Sequence, residues 1–155
     1  MKRFHRVHLG VAVSLPAGLL VPVVRDADML SVKGLHDKTV ETVVAARDGS
    51  LALDLLSGST FSVSNMGMFG VSYFDAIATP GLGAILAISS NTEQGSAFTV
   101  TADHRVINGA DVAKYLYSLK GLIEQPYDWM GPGGPAIPEG DWDYDVVVIG
   151  GGPGG

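Results

Sequence analysis

Thr101-Ala102-Asp103-His104-Arg105-Val106-Ile107-Asn108-Gly109 sets a histidine between a β-prone run and a helical one. Before it, Ala97-Phe98-Thr99-Val100-Thr101 is rich in β-branched and aromatic residues and predicts a strand. After it, Val112, Leu116, Leu119, Leu122 and Ile123 recur at helical spacing and predict a helix over 110–124. Asp111 near its start and Lys120 toward its end have the signs that the helix dipole favours, and Gln125-Pro126 stops it. An imidazole at such a junction can present one nitrogen to a substrate. Its titration near neutral pH suits it to accept a proton. A lone loop histidine is more often a surface residue than a base, so the rest of the chain has to decide.

Upstream, Ala84-Ile85-Leu86-Ala87-Ile88 is a continuous apolar run and predicts a buried strand. A short polar turn, Ser89 to Ser96, joins it to the strand before His104. Thr60-Phe61-Ser62-Val63-Ser64 alternates and predicts another strand, followed by the loop Asn65-Met66-Gly67-Met68-Phe69-Gly70. Gly67 and Gly70 would there allow positive φ or close backbone approach. Leu51 to Leu56 reads as one short turn. Ser31 to Arg47 predicts a helix with Ser31 as N-cap, Asp48-Gly49-Ser50 as stop, and an apolar face of Val32, Leu35, Val40, Val43 and Val44. His36 reads as a solvated helix residue. His8–Val13 and Leu19–Val24 predict two strands joined by a tight connection, with Pro22 marking an edge or a bulge.

Composition narrows the function classes. With 155 residues, 46% of them hydrophobic and 17% charged, the chain has material for one ordinary cored domain. Its net charge of −6 gives no electrostatic reason to bind nucleic acid. No apolar run reaches the length of a membrane helix, so no membrane partner is expected. The absence of cysteine excludes disulfides, thiolate metal sites and a cysteine nucleophile. No metal site is expected.

Four ordered stretches resemble one family. They are Leu9–Val13 with Gly18–Asp28, Gly58–Gly70, Ala84–Leu86, and Ala102–Ala110. Together they resemble the catalytic domain of the 2-oxo acid dehydrogenase dihydrolipoyl acyltransferases, the E2 components, across residues 8–126. The resemblance implies an α/β fold, the chloramphenicol-acetyltransferase-like CoA-dependent acyltransferase sandwich. It implies acyl transfer between a dihydrolipoyl thioester and coenzyme A as substrates. His104 is then the general base and Ser64 the oxyanion donor, supplied by neighbouring subunits of a homotrimer. The trimers would build a larger core served by E1 and E3 components. The implied location is the bacterial cytoplasm, or the mitochondrial matrix in a eukaryote. Acyl specificity stays open among acetyl, succinyl and branched-chain.

Three departures are expected to matter. The family usually has aspartate where this chain has Asn108, so we expect His104 to be held less firmly and activity to be lower. The Ile88–Ala97 connection is shorter than usual. The N-terminal part of the catalytic domain, which contributes to the core and the coenzyme A site, is missing, as are the lipoyl and subunit-binding domains. The expected organisation is 1–126 as the C-terminal portion of the E2 catalytic domain, 127–141 as a Gly/Pro-rich linker, and 142–155 as the truncated start of an FAD-binding domain. There Tyr144–Ile149 reads as a strand, and Gly150, Gly152 and Gly155 satisfy G-x-G-x-x-G. The segment resembles the opening of dihydrolipoyl dehydrogenase, E3. FAD is expected only in a complete fusion, because residues 142–155 hold neither the helix nor the ribose-binding acid. The competing expectations are an E2-like structural subunit without catalysis, and a fusion fragment named for its flavoprotein end.

Overall fold

A computed structural model describes residues 4–126 of the chain. In order, the described strands and α-helices are β1 (Leu9–Val11), β2 (Val13–Leu15), β3 (Gly18–Leu20), β4 (Val23–Val24), α1 (Val32–Asp48), β5 (Phe61–Asn65), β6 (Ala84–Ile88), β7 (Phe98–Ala102) and α2 (Gly109–Glu124). Five strands form one sheet in the order β4-β1-β5-β6-β7, and β2 and β3 form a separate hairpin. The β1–β5 and β5–β6 pairs are parallel, and the β6–β7 and β1–β4 pairs antiparallel.

The two N-terminal runs behave differently from the expectation of two simple strands. Each divides between the two sheets. Leu9–Val11 and Val23–Val24 join the large sheet, while Val13–Leu15 and Gly18–Leu20 continue into the hairpin. The division falls at Ala12 and at Val21-Pro22. There the Ala12 N–H turns to the Val63 carbonyl at 2.9 Å, and the Pro22 carbonyl accepts from Val11 N at 2.9 Å. Proline has no N–H to continue a ladder, which is why the break falls beside it and why β4 lies at the sheet edge.

Helix α1 starts where the sequence predicts. The Ser31 hydroxyl accepts from Gly34 N at 3.1 Å, and Gly49, at φ 71°, closes the C-terminus in the left-handed region. Its buried face differs from the prediction. Leu35, Thr39, Thr42 and Ala46 face the sheet, whereas Val32, Val40 and Val44 are exposed. Threonine is tolerated there because Thr39 Oγ1 and Thr42 Oγ1 donate to the Leu35 and Lys38 carbonyls, each at 2.7 Å. The apolar count misled because it ignored hydroxyls that satisfy themselves within the helix. His36 is exposed, as expected. Helix α2 matches its predicted stripe, with Leu119 buried and Val112, Leu116, Leu122 and Ile123 half-buried.

The alternation of β5 separates two layers. Phe61 and Val63 pack against the cluster of Leu9, Val24, Ala27 and Leu35, and the Phe61 ring meets Tyr115 of α2 at 5.8 Å. Burying Leu9 and Leu35 in this cluster stabilises the fold by about 1.5–3 kcal/mol each. Ser62 and Ser64 point to the opposite face. Beside them on β6, Ile85 and Ala87 pack with Ala76, Phe74 and Ala78 of the segment that leads into β6. Thr99 of β7 pins that segment by donating to the Phe74 carbonyl at 2.7 Å. Both glycine uses expected after β5 occur. Gly70 adopts φ 71°, and a Cβ on Gly67 would lie 3.0 Å from Asn65 Oδ1. Among the described residues, no helix is long and apolar enough to cross a membrane.

Candidate active site

His104 lies in the turn after β7 with its side chain exposed. The backbone on either side is held closely. Asp103 N donates to the Gly83 carbonyl at 2.8 Å, and the Asp103 carbonyl accepts from Val106 N at 2.9 Å and Ile107 N at 3.0 Å. The Asp103 carboxylate accepts from Arg105 N at 2.9 Å, from Nε at 2.9 Å and from Nη2 at 2.6 Å. These bonds favour the charged acid, first through the Arg105 side chain and then through its N–H, and hold the Asp103 pKa down at about 2. The same pairing raises Arg105 above its ordinary value.

Asn108 is the N-cap of α2, its Oδ1 accepting from Asp111 N at 3.0 Å. Sequence reading missed that role, although asparagine ahead of Gly109-Ala110-Asp111 is a favoured capping residue. It also missed the Asp103–Arg105 fork. No spacing rule marks an acid and a base two positions apart as partners across a turn.

Ser64 lies on β5 between β1 and β6, 9% exposed. Its partner on β6 is Ala87, whereas Ala102 of β7 pairs with Ala84, three positions earlier on β6. With ~3.3 Å per residue along a strand and ~4.8 Å between strands, Ala102 lies about 14 Å from Ser64. His104 follows two residues beyond Ala102, past the end of the strand. Within one chain the structure therefore sets Ser64 and His104 toward opposite ends of the sheet and does not bring them together. Among the described residues, no cluster of His, Asp and Glu suited to a metal ion occurs.

The chain matches the family of 2-oxoacid dehydrogenases acyltransferase (catalytic domain) over residues 1–131. It belongs to that family. Among its relatives, the chloroplastic dihydrolipoyllysine-residue acetyltransferase component 5 of the pyruvate dehydrogenase complex of Arabidopsis thaliana is 41% identical, covering 79% of this chain and 29% of that protein. The corresponding component of Zymomonas mobilis is 37% identical over 81% of this chain and 31% of that protein. Among solved structures, an Azotobacter vinelandii dihydrolipoamide acetyltransferase superposes with a TM-score of 0.75 at 31% identity, covering 81% of this chain and 57% of that one. The cubic core of a pyruvate dehydrogenase multienzyme complex gives 0.75 at 32% identity, with the same coverage of each chain. The α/β acyltransferase sandwich expected from the sequence is the fold found. The chain spans under a third of the length of these curated relatives and 57% of the matched Azotobacter chain. The family match ends at Met130-Gly131. The expected linker and the Gly150, Gly152 and Gly155 motif lie outside the described residues.

Proposed function

We propose that this chain carries part of a dihydrolipoyl acyltransferase centre that moves an acyl group between a dihydrolipoyl thioester and coenzyme A. The observation that carries the reading is the turn that holds His104 between β7 and the Asn108-capped α2, in a chain of this family. The Azotobacter structure comes from work on the roles of a serine, a histidine and an asparagine in catalysis. The asparagine there follows the histidine by four positions, as Asn108 follows His104. That shared spacing supports reading Asn108 as a member of the site, and it weakens one of the two grounds, beside the missing N-terminal part, for a structural subunit without catalysis.

In this reading His104 takes the proton from the coenzyme A thiol. A thiol is mostly protonated at neutral pH, so a base beside it raises the nucleophile's concentration. The sulfur attacks the thioester carbonyl carbon, and Ser64 donates to the oxyanion of the tetrahedral intermediate. Collapse breaks the bond to the dihydrolipoyl sulfur, which leaves with the proton from His104. The separation of Ser64 and His104 within one sheet supports a site completed between subunits, His104 from one and Ser64 from its neighbour, in a homotrimer that builds a larger core with E1 and E3 components.

The test is coenzyme A acylation from acetyl-dihydrolipoamide by the full-length protein. His104→Ala abolishes turnover, and Ser64→Ala lowers kcat by roughly 10²–10³-fold. Assemblies that mix the two variants regain part of the activity, since some interfaces pair two intact residues. Turnover that is indifferent to His104 in a trimeric preparation refutes the reading. A second reading concerns the Gly150-x-Gly152-x-x-Gly155 stretch after a β-prone run, as the opening of an E3-like FAD-binding domain in a fusion. Flavin absorbance in the purified full-length protein tests it.

A further inference from the structure

We propose that Asp103 and Arg105 form a clamp across His104 that fixes the backbone carrying the imidazole, making both of them positioning residues for the base. The inference rests on the reading of His104 as that base. Three donors converge on one carboxylate within a three-residue span: Arg105 N, Nε and Nη2, at 2.9, 2.9 and 2.6 Å. The carboxylate thus closes a ring through the backbone N–H of the residue after His104 and a second ring through the guanidinium. The Asp103 backbone is anchored as well, to Gly83 on one side and to Val106 and Ile107 on the other. His104 is the residue between the two closures. The Arg105 side chain is 90% exposed and that of Asp103 25% exposed. An isolated ion pair so exposed adds little to stability. A planar fork with two parallel bonds instead fixes the turn from Asp103 to Arg105, and so the backbone from which the exposed His104 side chain projects.

The two rings separate by mutation. Asp103→Asn keeps an acceptor for Arg105 N but loses the charged fork. Arg105→Gln removes the guanidinium and keeps the N–H. Arg105→Lys keeps the charge without the bidentate geometry. The clamp predicts that all three variants, in the full-length assembled protein, lose roughly ten- to a hundredfold in kcat, with KM for coenzyme A unchanged. The double variant Asp103→Asn/Arg105→Gln falls no further than either single one. Amide hydrogen exchange read by mass spectrometry provides a measure independent of turnover, with faster exchange across 103–107 in each variant. Faster exchange with kcat intact overturns the positioning role. Unchanged exchange overturns the clamp. A raised KM for coenzyme A at constant kcat makes Arg105 a ligand-binding residue and also overturns it. If His104→Ala leaves turnover unchanged, the catalytic reading fails separately, while the exchange data still report whether the clamp exists.

Discussion

Gly10 is the position at which a single methyl group should do most harm. It sits on β1 opposite Ser62 of β5 and Val23 of β4, inside the sheet. A Cβ built there would collide with Ser62 Oγ and lie 3.0 Å from Val21 Cγ1 and 3.2 Å from Ser59 Cβ. Ser62 is fully buried, and among the described residues its hydroxyl has no hydrogen-bond partner. It therefore has no solvent to swing into. Overpacking of this kind costs about 1–3 kcal/mol. Ser62→Ala removes the colliding oxygen and also an unsatisfied polar group. Alone it should be neutral or stabilising, because burying an unpartnered hydroxyl is unfavourable. Combined with Gly10→Ala it should restore most of the loss, a coupling of about 1–2 kcal/mol. The assay is urea denaturation of the four proteins at one fixed protein concentration, because assembly contributes to apparent stability. A loss of about 2 kcal/mol lowers the midpoint by roughly 1–2 M urea at an ordinary slope. If Gly10→Ala unfolds at the wild-type midpoint, or if its loss persists unchanged beside Ala at position 62, the packing argument is refuted.

Three further outcomes follow from the His104 junction. Asn108→Ala removes the acceptor for Asp111 N and should cost about 1 kcal/mol of thermal or urea stability. Asn108→Asp keeps a capping oxygen and adds charge at the positive end of α2, so stability and turnover should hold; a large drop in turnover would give the side-chain amide a role beyond capping. Asp103 has a depressed folded pKa, so whatever the pair contributes to stability is complete above its ordinary value of 3.8 and lost as pH falls toward about 2. Carboxyl NMR should find it titrating near 2 in the wild type and closer to 3.8 in Arg105→Gln; a wild-type midpoint near 3.8 would rule out the fork in solution.

The local elements were legible in residue pattern and capping chemistry. Ser31 and Gly49 bound α1, the stripe from Val112 to Ile123 defines α2, and Phe61–Asn65, Ala84–Ile88 and Phe98–Ala102 are strands close to where alternation and apolar runs predict them. Those signals are local because caps, turns and periodicity act over a few residues. The candidate residues Ser64, His104 and Asn108 were legible only through ordered resemblance, since one serine or histidine carries no chemical signature of its own.

What needed the tertiary structure was every relation between distant segments. Local pattern says which side of a strand is apolar but not which strand lies beside it. Hence the order β4-β1-β5-β6-β7 and the splitting of the N-terminal runs between two sheets were not readable from it. The same holds for the exposed valines of α1, whose orientation is set by what the sheet presents to it. Register decides the most consequential relation. Ser64 pairs at Ala87 and Ala102 at Ala84, so two residues that belong to one proposed reaction stand apart in a single chain. The sequence by itself determined the local elements and marked the candidate residues. The hydrogen-bond register between nonadjacent strands decided how far apart those parts lie.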